Sequence, residues 1–265
     1  VMQTVRKGNM STFNCPEEVL LAEKLVALHP WSDMVRLART GGEANAVAIR
    51  IARAASRKDK VAICGYHGWH DWYVAANLKS KNNLNKHLLT GIKPLGIPKG
   101  LKNSIFTFEY NNFSQLEKII KKNPDLGIIK MEVCRNELPA NNFLQKIRDL
   151  ANKKNIILIF DECTSGFREN FGGLHKKFKV QPDLAIFGKA LGNGYAINAI
   201  IGKKDIMRHA DNTFISSTFW TERIGPVAAI KTLEVMQKIK AWKIITQKGK
   251  KIKKEWQKLA NKHNL

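Results

Sequence analysis

The chain is poor in acids and in cysteines. Its 265 residues hold 22 Asp and Glu against 45 Lys and Arg, a formal charge of +23. The four cysteines, Cys15, Cys64, Cys134 and Cys163, lie far apart with no C-x-x-C pair, which excludes a zinc ribbon and a dithiol redox motif. They read as free thiols, mostly structural, in a reducing compartment. No apolar run approaches the roughly 18 residues of a membrane-spanning helix, and residues 1–8 lack a secretory hydrophobic core. We therefore expect a soluble, cytoplasmic protein. No zinc-finger spacing and no aromatic RNA-binding signature accompanies the basic residues. Lysines such as Lys118, Lys121 and Lys122 are spread over helical faces and are dense only at 248–254, so they read as solvated surface and nucleic acid is not the expected partner.

What is present supports a folded enzyme-sized unit. An apolar content of 44% over this length fills one large domain, or one domain and part of another. The first residue is Val1, and the last residues read as a charged helix, so we read both ends as cuts in a longer protein. Apolar periodicity predicts helices over 16–28 (Val19, Leu20, Leu21, Leu25, Leu28) and 43–56 (Ala44, Val47, Ala48, Ile51, Ala55). Further helices are expected over 114–122 and 142–153. Short apolar runs predict strands at 61–64, 105–108, 126–131, 155–160, 184–187 and 196–201, with an irregular Asn-, Lys- and Gly-rich excursion over 79–103. Strands alternating with helices indicate an α/β fold, a mostly parallel sheet covered by helices on both faces. From residue 222 the chain turns helical, with Val227, Ile230, Leu233, Val235 and Met236 as its apolar face, which divides it into 1–221 and 222–265.

Two strands end in ionisable groups. The run 155–160 delivers Asp161-Glu162, and 184–187 delivers Gly188-Lys189, with Gly192-Asn193-Gly194 close behind. Open α/β sheets place ligand crevices at the carboxyl ends of their strands, so an acid and a lysine there point to one shared site. A lysine in a low-dielectric crevice has its pKa lowered and can work as a neutral amine. A buried carboxylate either complements a protonated ring nitrogen or caps backbone N–H groups. Thr40-Gly41-Gly42 precedes a helix, whose first N–H groups form a phosphate cradle or a plain turn. Tyr66-His67-Gly68 either sets a ring over a planar cofactor or packs. His67, His70 and Asp71 lack the i, i+4 histidine pair of zinc hydrolases and any completing ligand, so no metal is expected.

The order of these motifs resembles the class III aminotransferases among the fold-type I pyridoxal-phosphate enzymes, most closely the glutamate-1-semialdehyde aminomutase branch, over residues 16–237. The resemblance rests on Met34-Val-Arg36, Gly41, Glu43-Ala44, Tyr66-His67-Gly68, Ile159-Phe-Asp-Glu162, Gly166-Phe-Arg168, Pro182-Asp-Leu184 and Gly188-Lys189 to Gly192. It implies a three-layer α/β/α domain over 1–221, the start of a smaller domain over 222–265, and pyridoxal 5'-phosphate as cofactor. Lys189 would be the Schiff-base lysine and Asp161 the partner of the pyridine nitrogen. Tyr66, with His67 beside it, would cover the ring, while Thr40, Gly41 and Gly42 hold the phosphate. Glu132 and Asn136 match the residues after the preceding strand. Thr218 resembles the threonine that reaches the phosphate of a neighbouring subunit, which implies a homodimer with shared sites.

Departures are also plain. Gly42 stands where the family carries Ser or Thr, Arg39 where the aminomutases carry Asn, and Trp220-Thr221-Glu222 replaces a small Ser-Gly-Asn run. The activity implied is amino-group transfer between a small-molecule donor and a carbonyl acceptor, as a transaminase or an aminomutase. A keto-sugar acceptor, a catalytically incomplete piece of such an enzyme and a basic nucleic-acid-binding module remain as alternatives.

Overall fold

In the computed structural model, which describes residues 1–10, 12–87 and 89–264, seven strands share one sheet. They are β1 (Met34–Ala38), β2 (Lys60–Cys64), β3 (Ile105–Thr107), β4 (Leu126–Glu132), β5 (Ile157–Glu162), β6 (Leu184–Phe187) and β7 (Asn198–Gly202), in spatial order β1-β7-β6-β5-β4-β2-β3. The pairings β2 with β3, β2 with β4, β4 with β5 and β5 with β6 are parallel. Only β7 runs against its neighbours, β1 and β6.

The central strands read as continuous apolar runs because both faces are covered; every residue of β4 and β5 is buried. On one face Ile63, Ile128, Ile159, Ile186 and Ile200 pack under Val47, Ala48 and Ile51 of the helix Gly41–Ser56. On the other, Ala62, Met131, Leu158 and Phe160 meet Leu116 and Ile120 of Phe113–Lys122 and Ile147 and Ala151 of Phe143–Lys154. That face continues as Phe187, Ala199 and Ile201 against Leu21, Leu25, Ala229 and Leu233 of the helices Pro16–Leu28 and Ile224–Ile239. The expected three layers are therefore present. Truncating a side chain such as Ile159, which is fully buried, to Ala would cost about 2–5 kcal/mol.

Several local expectations need correction. Met34–Ala38 is a strand that periodicity missed, because it is a short edge strand with Arg36 at its centre and only Leu37 and Ala38 fully buried. The last strand starts at Asn198 rather than 196 and is antiparallel. Val19 and Leu20 point outward, since the sheet receives only the face carrying Leu21 and Leu25. Val235 is likewise exposed; Gly225, Pro226, Ala228, Ala229, Leu233 and Met236 are the residues that the helix Ile224–Ile239 buries. Among its described residues the 79–103 excursion holds turns and one short 3-10 helix, Lys99–Leu101, and the buried side chain of Asn77 ties it back by bonding Ile92 O and Leu84 N. The helix Ala241–His263 buries no residue, and among the described residues no helix is long and apolar enough to cross a membrane.

Candidate active site

Parallel pairing brings the carboxyl ends of β2, β4, β5 and β6 to one edge of the sheet, and the reversed β7 brings its first residue, Asn198, to the same edge. Opposite Asn198 in the ladder is Ala38, the end of β1, where the chain turns into Thr40-Gly41-Gly42. Six segments distant in sequence thus converge where parallel sheets form ligand crevices.

Successive strand residues face opposite ways, which divides the labour between the two acids that end β5. Glu162 points away from the crevice. It accepts Leu174 N at 2.6 Å, His175 N at 2.9 Å, Ser165 Oγ at 2.8 Å and the His175 ring at 2.5 Å, anchoring the turn after the strand. Asp161 faces the crevice and is 4% exposed. Its Oδ2 accepts from His67 Nδ1 at 2.9 Å and its Oδ1 from Cys163 N at 3.1 Å. Lys130 Nζ lies 3.9 Å from Oδ2. Burial alone would push the Asp161 carboxyl up, but the Lys130 ammonium and the His67 ring outweigh it and hold the carboxyl well below its usual range. Burial lowers the His67 and Lys130 pKa values, against the pull of Asp161.

Lys189 follows β6, the strand beside β5. Its backbone is left-handed, φ 44°, a conformation that costs a non-glycine residue on the order of 1 kcal/mol and recurs at functional sites. Its Nζ donates to Thr164 Oγ1 at 2.7 Å. The described residues leave Lys189 exposed, so the low-dielectric crevice expected around it is not formed by them alone. Lys189 lines a cleft of about 1150 Å³ whose far wall includes Val227, Lys231 and Val235. Gly188 is needed for contact rather than for φ: a Cβ there would stand 2.0 Å from Asn198 Oδ1.

The helix Gly41–Ser56 begins with a capping box. Thr40 Oγ1 accepts from Glu43 N at 3.2 Å, and the Glu43 carboxylate accepts Arg39 N at 2.6 Å. Thr40 Oγ1 is thus engaged as an acceptor while its O–H can still donate, so the hydroxyl and the first-turn N–H groups together make the anion-binding feature. Gly41 faces the crevice, 3.7 Å from Cys163 Sγ if given a Cβ, whereas Gly42 is covered by the His70 ring at 2.7 Å on the same construction.

Tyr66 is half-buried and meets Tyr73 edge to face at 5.9 Å; its N–H donates to Glu132 Oε2 at 3.1 Å. The resemblance groups His67 with Tyr66 over a ring, but the His67 ring is turned down onto Asp161. His70 stacks on Trp69 at 4.7 Å, and Asp71 opens a helical turn, so the three residues weighed as a metal cluster diverge. Among the described residues no group of three or more His, Cys, Asp or Glu is arranged to hold a metal ion. Glu132 is clamped by Arg135 through bonds of 2.7 and 2.5 Å and lines a separate cavity of about 240 Å³ with the exposed Asn136. Thr218 is exposed at the start of a turn, Thr218–Thr221, that Arg39 holds through the carbonyls of Phe219, Trp220 and Glu222.

Sequence reasoning missed three residues of this edge. Lys130 was legible as a lone lysine inside an otherwise apolar strand, and Asn198 as a polar residue opening one. Thr164 carried no signal beyond its nearness to Asp161. The donor set suits a phosphorylated pyridine aldehyde. An ionised buried acid, an amine on the adjacent strand's end and a glycine-lined helix start share one edge, and two buried nitrogens, Lys130 Nζ and His67 Nε2, have no hydrogen-bond partner among the described residues.

The family model described as aminotransferase class-III matches residues 2–265. The 3-aminobutyryl-CoA aminotransferase of Cloacimonas acidaminovorans is 38% identical, across 100% of this chain and 62% of that protein. The glutamate-1-semialdehyde 2,1-aminomutase of Nitrosopumilus maritimus is 36% identical, across 91% of this chain and 58% of its own length. The chain thus spans about three fifths of these curated relatives. The FumI protein of Sphingopyxis sp. MTA144, solved in its PLP internal aldimine form, superposes with a TM-score of 0.85 at 21% identity, covering 100% of this chain and 62% of that one.

Proposed function

This chain belongs to the class-III aminotransferase family, and on that premise we propose that it takes part in pyridoxal-phosphate-dependent transfer of an amino group from a small-molecule donor to a carbonyl acceptor. The observation that carries this reading is the pairing of a buried, ionised Asp161 with Lys189 at the ends of adjacent strands. Relatives named for transamination and for aminomutation both support amino-group transfer as the shared chemistry.

Bound pyridoxal phosphate supplies a carbonyl that condenses with amines and a ring that withdraws electrons from the substrate carbon. Asp161, being ionised, would serve as the partner of the ring nitrogen and would favour its protonated form. His67 orients Asp161 by donating to Oδ2, and Cys163 N fixes the other oxygen. Lys189 Nζ would be the group that holds the cofactor and, when free, would take a proton from the substrate carbon and return it. Thr164, its hydroxyl partner, holds the amine at the crevice mouth. Thr40 and the first-turn N–H groups at Gly41 and Gly42 would hold the phosphate, while Tyr66, on a loop tied to Glu132, would cover the ring. Asn136, exposed in the separate cavity that Glu132 lines, would meet the cofactor or substrate from that side.

Thr218, exposed beside the phosphate loop, completes the phosphate site of a second copy of this chain, giving a homodimer with shared sites. We assign residues 1–221 to the cofactor-binding unit and 222–265 to the lead into a smaller one; the helix Ile224–Ile239 still packs on the sheet, and the helix Ala241–His263, which buries no residue, marks where the chain leaves it. The four free cysteines suit a cytoplasmic location.

Borohydride reduction of the protein loaded with pyridoxal phosphate, followed by peptide mapping, tests the assignment. The label is expected on Lys189 and is lost in Lys189→Ala together with turnover in an amino-donor and keto-acceptor screen. A label on Lys130, the other amine of this edge, would overturn it.

A further inference from the structure

Lys130 is the least expected residue of this edge. It lies in a seven-residue strand buried throughout, is itself 0% exposed, and its Nζ has no hydrogen-bond partner among the described residues. An ammonium in that position loses its hydration, so a nearby anion must offset the loss. The anion in contact range is Asp161 Oδ2 at 3.9 Å, beyond hydrogen-bonding distance but close enough for strong through-space attraction.

The other groups around this pair leave the balance unchanged. From the loop after β2, His67 donates to Asp161 through Nδ1, and burial favours its neutral form. From β4, Glu132 is neutralised by its bidentate pair with Arg135. From the turn after β5, Cys163 is held as the thiol, because burial pushes its pKa well up. Lys189, after β6, is directed to the Thr164 hydroxyl. Lys130, whose pKa burial lowers against the pull of Asp161, is therefore the cation placed to share the charge of that carboxylate.

We propose that Lys130 is a positioning residue that shares the charge of Asp161 and so weakens the hold of this acid on the proton of the cofactor ring nitrogen. This rests on the reading that Asp161 faces that nitrogen. A carboxylate facing the ring alone favours the pyridinium strongly, and a cation on the far side of the same carboxylate cancels much of that field. The ring nitrogen then gives up its proton at lower pH, and the ring draws electrons less strongly than an unshared acid would make it do.

The test uses the protein loaded with pyridoxal phosphate carrying ¹⁵N in the ring, whose chemical shift reports protonation of that nitrogen directly across a pH titration. Lys130→Met removes the charge while keeping the length. Its ring-nitrogen midpoint is expected to rise by about one pH unit or more, the size of effect that a charge at this range exerts. An unchanged midpoint overturns the proposal. Asp161→Asn separates the two readings. If its midpoint falls while that of Lys130→Met stays with wild type, only the role of Lys130 fails. If Asp161→Asn leaves the midpoint unmoved, the acid does not face the ring, and both readings fail.

Lys130→Gln replaces the Met variant should that one not fold. The unsubstituted protein gives an independent measure. With the acid shared, its midpoint lies within about one pH unit of the free cofactor, and a rise of about two or more, the effect of an unshared opposite charge, refutes sharing.

Discussion

Gly188→Ala tests how tightly the two halves of the crevice are locked together. Gly188 has φ −165°, which any residue can adopt, so the cost of a methyl group there is contact alone. Its Cβ would stand 2.0 Å from Asn198 Oδ1, 3.0 Å from Asn198 Cγ and 3.4 Å from Cys163 Sγ. Non-bonded atoms need roughly 3.5 Å, so Asn198 must move by more than about 1 Å. It cannot do so freely, because it is buried and its Nδ2 donates to Arg39 O at 2.9 Å. Losing that bond leaves a carbonyl unpaired, at about 1–3 kcal/mol. Overpacking adds a further 1–3 kcal/mol or so.

A destabilisation of about 2–5 kcal/mol is expected, or a fall in Tm on the order of 10 °C for a chain of this size. Thermal and urea unfolding measure it. Uptake of pyridoxal phosphate should weaken alongside, since Lys189 is the next residue. In the background of Asn198→Ala the obstructing amide is gone, and Gly188→Ala should then add little; this is the coupling that a double-mutant cycle reads. A Gly188→Ala protein that melts with wild type, or full additivity with Asn198→Ala, would refute the reasoning.

Two further outcomes concern the loops around the crevice. His87 is buried and accepts from Gly65 N at 3.0 Å through Nδ1, so it must be neutral, and burial with the nearby His67 lowers its pKa to about 4 from 6.5. Its contribution is full above pH 6.5 and is lost as pH falls to about 4, roughly 3 kcal/mol in all. His87→Leu should flatten urea-derived stability across that window, and an unchanged slope would contradict the assignment. Arg39→Ala removes three bonds of 2.8, 3.0 and 2.9 Å to the carbonyls of Phe219, Trp220 and Glu222. Limited proteolysis should then cut within 214–222, with a stability loss of about 2–4 kcal/mol; a segment as resistant as in wild type would show that Arg39 does not hold it.

Much of the fold could be read from local pattern. Ile156-Ile-Leu-Ile-Phe160 and Leu184-Ala-Ile-Phe187 are apolar throughout, which a sheet covered on both faces accommodates, and both strands lie where they were expected within two residues. The helix over 41–56 was legible from its apolar period. Edge strand β1 was not, because half-exposed edges place little demand on composition, and Arg36 is free to leave the sheet and bond Ile215 O. Of the site, Asp161 and Lys189 were visible as charges ending apolar runs, and Thr40-Gly41-Gly42 as a helix start.

The sequence by itself determined six of the seven strands, that two of them end in an acid and a lysine, and which chemistry those residue types suit. Period-two alternation even separates Asp161 from Glu162, though not which of the two faces the crevice. That choice belonged to the tertiary structure, through contacts between residues dozens of positions apart. The Glu162 carboxylate found His175 and the N–H groups of the 174–175 turn, while Asp161 found His67 and Lys130. Lys130 shows the limit most clearly. A lysine within a strand is only a composition fault until β4 is laid beside β5, and then it becomes the cation against which the acid of the site is balanced. Local pattern sets burial and direction, but the energy of a buried charge depends on what lies within about 4 Å of it, and only the folded chain decides that.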